Sequence, residues 1–133
     1  MEQTLLLIKP DAIERNLIGK IIKRVEEASL RILDMKMVMF TREMTEQFYD
    51  EHKGKEFYSR LINYMADKKV VALRLEGDNA IKTLRNLVGA TDPKKAEKNT
   101  IRADFGLGTP QNSVHASDSP GSAKREIDFF FGE

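Results

Sequence analysis

Residues 4–39 read TLLLIKPDAIERNLIGKIIKRVEEASLRILDMKMVM, and the hydrophobic period changes twice along this stretch. Thr4 to Ile8 is a short apolar run closed by Lys9 and Pro10, the pattern of a buried strand that ends where its loop begins. Ile18, Ile21, Ile22, Val25 and Ala28 then recur at helical spacing. Lys20, Lys23, Arg24, Glu26 and Glu27 fill the opposite face, which predicts an amphipathic helix. Leu33, Met35, Met37 and Met39 alternate with Asp34, Lys36 and Val38, so a second strand follows, and its methionines read as a soft apolar face turned to the core.

The same alternation of elements continues outward. Thr45 is placed to cap a helix running through Phe48, Tyr49 and His52. Phe57, Leu61, Ile62 and Met65 mark another helix beyond a break at Gly54. Val70 to Leu75 is rich in strand formers, Gly77 and Asp78 punctuate it, and Ile81, Leu84, Leu87 and Val88 form the stripe of a further helix. From Gly89 to about Val114 no periodicity survives, and so long an irregular segment in a compact domain points to a functional site. Ser119 followed by Pro120 is an N-cap and first-turn pair for a last helix through Ala123, Glu126 and Ile127. No repeat, low-complexity tract or linker divides the chain, so one α/β or α+β domain over residues 1–133 is expected.

Composition narrows the function. With 133 residues, 41% hydrophobic and 32% charged, the chain can bury a core and keep a soluble surface. Lys and Arg number 22 against 21 Asp and Glu, a net charge of +1, so no overall field draws it to a polyanion and no specific nucleic-acid partner is expected. The absence of cysteine excludes disulfides, thiolate zinc sites and a cysteine nucleophile. Five mostly apolar residues before Lys9 are too few for a signal core or a membrane span, so a cytoplasmic protein is expected.

Two histidines are available. His52 lies among charges in EHKGK and reads as a solvated side chain. His115 lies in NSVHASDS, beside Asn112, Ser117, Asp118 and Ser119. An unperturbed imidazole titrates at about 6.5, so at neutral pH its free nitrogen can act as nucleophile or base. Glu126, eleven residues on in the last helix, is placed to turn back and orient the ring. The local residues support a catalytic histidine and a histidine bracing this turn equally. Lys9, Arg85, Thr91 and Arg102 would suit a polyphosphate if they converged, although each alone reads as an ordinary surface or helix-end group. No G-x-x-x-x-G-K-[ST] loop and no HExxH occur, so phosphates would be held by side chains and Mg²⁺ would arrive on the nucleotide, with no permanent protein metal site. Phe57 and Leu61, one turn apart, read first as core, Tyr49 reads either way, and Asp118 reads as a helix cap.

IKPDAIERNLIG at 8–19, GATDP at 89–93, TIRADF at 100–105, NSVHASDS at 112–119 and SAKREI at 122–127 occur in this order along essentially the whole chain, and together they resemble the nucleoside diphosphate kinase family. The resemblance implies a ferredoxin-like, four-stranded antiparallel sheet covered by helices. It implies that His115 carries the γ-phosphoryl on Nδ1 between nucleoside tri- and diphosphates in a ping-pong cycle that maintains NTP and dNTP pools. Tyr49 and Glu126 would hold the ring, with Ser117 linked to Glu126. Arg85, Thr91 and Arg102 would contact the phosphates, Lys9 and Asn112 the ribose hydroxyls and phosphate, and Phe57 and Leu61 the base and sugar, with Mg²⁺ bridging the phosphates. A homo-oligomer, tetramer or hexamer built from a common dimer, is also implied. Three departures stand out: Asp67-Lys68-Lys69 replaces a usual Gly-Pro turn, Lys98-Asn99 replaces a usual Pro-Gly before TIR, and the sequence ends at Glu133 without the C-terminal extension of longer members. Two rivals remain at this stage: a binding module, either an inactive homologue or a ferredoxin-like nucleic-acid binder using the same basic residues, and an enzyme in which His115 and Glu126 activate water.

Overall fold

The computed structural model describes residues 1–108 and 111–132. Thr109 and Pro110 of the long irregular segment, and Glu133 at the end of the expected domain, lie outside the described residues. The elements follow in the order β1 (Glu2–Ile8), α1 (Pro10–Glu14), α2 (Ile18–Glu27), β2 (Arg31–Phe40), α3 (Arg42–Phe48), α4 (Tyr58–Met65), β3 (Lys68–Gly77), α5 (Ala80–Val88), α6 (Ile101–Phe105), β4 (Val114–Ala116) and α7 (Pro120–Phe131). The four strands form one sheet in the order β2-β3-β1-β4, every pairing antiparallel. This is a ferredoxin-like α+β fold, as the resemblance implied.

The position of β1 explains its sequence. β3 and β4 pair with both of its edges and a core packs on each of its faces, so Leu5, Leu6, Leu7 and Ile8 are wholly buried. A strand buried on both faces reads as a continuous apolar run, not as an alternation. Leu6 and Ile8 join the core under α2 and α5, while Leu5 and Leu7 join a second core with Phe48, Leu61, Ile62 and Phe130.

Two expectations are corrected. The cap of α3 is Thr41, whose Oγ1 accepts a hydrogen bond from the Met44 amide at 3.2 Å. Thr45 sits inside the helix, buried, and donates its hydroxyl to the Thr41 carbonyl at 2.8 Å. A threonine mid-helix commonly bonds back in this way, so its presence alone does not mark a start. The methionine face is also not core: Met35, Met37 and Met39 are 55%, 49% and 51% exposed. They lie opposite Leu73, Val71 and Lys69 of β3, but β2 is an edge strand. The core on that face takes only Ile32 from it.

The two internal departures are accommodated by backbone conformation. Asp67 adopts a left-handed φ of 60° and its amide bonds the Phe40 carbonyl at 2.6 Å, closing the entry into β3. Asn99 adopts φ 70°, a conformation that Asn tolerates better than most residues, and its carbonyl accepts from Arg24 at 3.1 Å. The following Thr100 caps α6 through the Ala103 amide.

Candidate active site

The sheet brings distant segments to one end of β1. Lys9 follows the last residue of that strand, and its amide bonds the Ser113 carbonyl at 2.9 Å, one step before β4. β4 then pairs with β1 so that His115 stands opposite Leu7. The missed fourth strand is only three residues long, too short for any period to show. Ser119 and Ser122 form a reciprocal capping box at the start of α7, and that helix returns Glu126 to the strand it left.

The imidazole is held on one side by polar contacts. Glu126, buried, pairs its Oε1 with His115 Nε2 at 2.9 Å and accepts from the Ser117 hydroxyl at 2.7 Å. Since a carboxylate only accepts, Nε2 carries the proton and Nδ1 is the nitrogen left with a lone pair. Burial works to raise the Glu126 carboxyl, but the hydrogen bond and charge of His115, then Ser117 and Arg125, hold it below the ordinary value. On the other side the ring meets aromatic walls, Phe48 at 5.3 Å and Tyr49 at 6.0 Å between centroids, both edge to face. Burial, and next the charge of Glu126, push the Tyr49 phenol up. Its buried hydroxyl has no hydrogen-bond partner among the described residues.

His115 opens onto a cleft of about 470 Å³. Lys9, Tyr49, Phe57, Leu61, Arg85, Thr91, Arg102, Asn112 and Glu126, all singled out from sequence, line it as well; Ser117 stands behind Glu126. Arg85 and Arg102 are held by backbone carbonyls, Lys9 by a side chain. Arg102 donates to the Gly89 carbonyl at 3.0 Å and to the Val114 carbonyl at 2.9 Å, and Arg85 to the Ala116 carbonyl at 3.2 Å. Lys9 Nζ donates to Asn112 Oδ1 at 2.8 Å, and the Asn112 amide donates to the Thr91 carbonyl at 2.8 Å. Gly89 is needed at its position: φ is 91°, and a Cβ would come within 2.6 Å of Thr100 Oγ1.

Three of the cleft's polar residues escaped the sequence reading. His52, read as solvated, stacks on Tyr49 at 6.1 Å and tilts against Phe57 at 5.3 Å. Glu51 and Arg60 line the mouth. Glu51 and His52 come from a charged stretch, and Arg60 stands on the exposed side of α4, whose apolar stripe marks the helix and not the cleft. Phe57, read first as core, is 40% exposed, whereas Leu61 is both cleft wall and core. Asp118, read as a helix cap, is not one: Ser119 caps α7, and Asp118 accepts from the Ser122 hydroxyl and lines the cleft.

Burial, and next the charge of Arg102, lower Lys9 to about 7, with Asp11 acting against them. At pH 8 the amine of the free protein is therefore mostly neutral. A polyphosphate beside it favours the ammonium form, so nucleotide binding at pH 8 is expected to take up a proton, and affinity to fall as pH rises from about 7 to 9. Calorimetry of ADP binding in two buffers of different ionisation enthalpy measures this uptake. An identical heat in both would show that Lys9 is already charged.

The fold is a ferredoxin-like α+β sheet, and its cleft sets an oriented imidazole beside Arg85, Arg102 and Lys9. Residues 2–133 match the family model for nucleoside diphosphate kinase. A nucleoside diphosphate kinase of Methanocaldococcus jannaschii is 53% identical over 132 residues, covering 99% of this chain and 94% of the relative. The orthorhombic crystal form of the Aquifex aeolicus nucleoside diphosphate kinase superposes with a TM-score of 0.94 at 44% identity, covering 98% of this chain and 94% of that one. The apo enzyme of Encephalitozoon cuniculi gives 0.96 at 38% identity, covering 100% and 90%. The chain belongs to the nucleoside diphosphate kinase family.

Proposed function

We propose that this protein, acting as one domain over residues 1–133, moves the γ-phosphoryl of a nucleoside triphosphate, typically ATP, to a nucleoside diphosphate in two half-reactions through His115. The observation that carries this reading is the imidazole whose Nε2 is occupied by Glu126 at 2.9 Å on the wall of a cleft lined by Lys9, Arg85 and Arg102. In the first half-reaction the Nδ1 lone pair forms the N–P bond as the bond from phosphorus to the β,γ-bridging oxygen breaks, and the nucleoside diphosphate leaves. In the second, a terminal oxygen of another nucleoside diphosphate attacks the same phosphorus and the electron pair returns to Nδ1. Positive charge developing on the ring is stabilised by Glu126, which keeps the Nε2 proton in place.

The division of the cleft supports the substrate class. Arg85, Thr91, Arg102, Lys9 and Asn112 would hold phosphates and ribose, and anchored donors of this kind supply the positioning that phosphoryl transfer requires. Phe57 and Leu61 would pack against base and sugar with apolar surface that reads no base edge, so ribo- and deoxyribonucleotides of any base would be accepted and both pools maintained. Mg²⁺ would enter on the phosphates. There phosphate oxygens would ligate it, and it would neutralise their charge.

A homo-oligomer, tetramer or hexamer built from dimers, is part of the same reading. The half-exposed Met35, Met37 and Met39 on the free edge of β2 supply an apolar surface for such contacts. Among the described residues no helix is long and apolar enough to cross a membrane, and we place the enzyme in the cytoplasm, with its nucleotide substrates. The test is incubation with γ-radiolabelled ATP and Mg²⁺, then acid and alkali treatment of the labelled chain and a chase with GDP. Acid-labile, alkali-stable label that passes to GDP is expected. No protein-bound label with intact ATP would leave a binding module, and free phosphate alone would leave a hydrolase.

A further inference from the structure

Arg125 precedes Glu126 on α7 and has no place in the cleft wall, yet its guanidinium reaches three groups that bear on His115. Nη2 lies 3.5 Å from Glu126 Oε2, the carboxylate oxygen turned away from the imidazole. The same nitrogen lies 3.1 Å from Glu51 Oε1, on the turn that lines the cleft mouth. Nη1 donates at 3.3 Å to the carbonyl of Phe48, the last residue of α3. That carbonyl is one of the acceptors a helix end leaves without an intrahelical donor, and the Phe48 ring packs on His115.

The pairing with Glu126 is not a default of helix geometry. Neighbouring residues on a helix point about 100° apart and do not face each other. The guanidinium is drawn round by Glu51 and by the end of α3, and it meets the outer oxygen of a carboxylate that is only 2% exposed. An ion pair between two exposed groups contributes little. Here one partner is buried and already committed through Oε1 to His115 and Ser117, so a cation on Oε2 fixes the rotation of the carboxylate plane.

We propose that Arg125 is a positioning residue for phosphoryl transfer: it pins the outer oxygen of Glu126, so that the inner oxygen stays on His115 Nε2, and ties that carboxylate to the α3 end and the Glu51 turn. This rests on the proposed role of His115. Arg125 touches neither substrate nor the reacting nitrogen and acts through Glu126. The groups facing that carboxylate are His115 from β4, Ser117 just after it, Tyr49 next to the end of α3, and Arg125 from its own helix. Of these Arg125 is a cation whose charge favours the ionised form.

The experiment compares Arg125→Ala, Arg125→Lys and, as control on the same helix, Lys124→Ala in the full chain, using single-turnover phosphorylation from MgATP, steady-state kinetics from pH 5 to 9 and thermal melting. Arg125→Ala is expected to slow phosphorylation about tenfold, with KM for nucleotide within about twofold and the melting temperature within a few degrees, since the side chain is 43% exposed. With the cation gone, Glu126 protonates at higher pH, so the acid limb of kcat/KM moves up in pH. Arg125→Lys restores the limb and part of the rate, and Lys124→Ala behaves as wild type. An unchanged rate and limb in Arg125→Ala would reduce Arg125 to a surface ion pair, and a rate loss matched by a collapsed melting temperature would make it structural. A wild-type protein that forms no phosphoenzyme would instead fail the functional reading, a result visible before any variant is compared.

Discussion

His115→Ala is expected to lower phosphoryl transfer by at least about 10⁴-fold, the scale on which removing a covalent nucleophile acts, while nucleotide affinity stays within a few-fold of wild type. The two effects separate because the groups proposed to hold the phosphates do not depend on the imidazole. Arg102 is held by the carbonyls of Gly89 and Val114, Arg85 by that of Ala116, and Asn112 by that of Thr91. All of these are backbone anchors that survive loss of the ring. Glu126 keeps Ser117 and Arg125 as partners, so the buried carboxylate is not stranded. A coupled assay and phosphoenzyme labelling read the first effect, and calorimetric titration with ADP reads the second. Transfer at more than about a hundredth of the wild-type rate would remove His115 from the reaction.

The sequence made His115 and Glu126 legible for a physical reason: a Ser-Pro start fixes where α7 begins, and a helix that begins at Ser119 must bring residue 126 back within about two turns. The central strand was legible because burial on both faces leaves an unbroken apolar run, Leu5 to Ile8. What escaped shared one property, that its environment is made by partners distant along the chain. The strand period of Met35, Met37 and Met39 was read correctly, but exposure follows from the place of β2 at the sheet edge, which no local pattern encodes. His52 reads as solvated among its charged neighbours until Tyr49 and Phe57 close on it. Thr45 and Thr41 both carry a capping hydroxyl, and the choice between them depends on which amide lies in reach. The convergence of Lys9, Arg85 and Arg102 came from the resemblance to a family and not from spacing, since each cation alone is an unremarkable helix-end or loop charge.

Arg102→Ala is expected to be the most damaging change among the cations, lowering kcat/KM by about 10²–10³-fold, the scale for removing one preorganised donor from a transition-state site. It should also lower the melting temperature by roughly 5–10 °C. Both losses follow from one geometry. Arg102 is 5% exposed, and its two terminal nitrogens bridge the Gly89 carbonyl after α5 to the Val114 carbonyl of β4, next to His115. Its removal takes charge from the cleft and leaves two backbone acceptors without these donors. Burial, and next the charge of Arg85, lower its pKa to about 10, so the guanidinium is charged through the neutral range, and the Gly89 and Val114 carbonyls offset the cost of burying it. Arg102→Lys restores the charge but cannot span both carbonyls from a single nitrogen, so it should recover the binding of nucleotide more fully than the rate or the melting temperature. Equal recovery of all three would mean that the bridge between α5 and β4 contributes nothing and that Arg102 acts as a point charge alone.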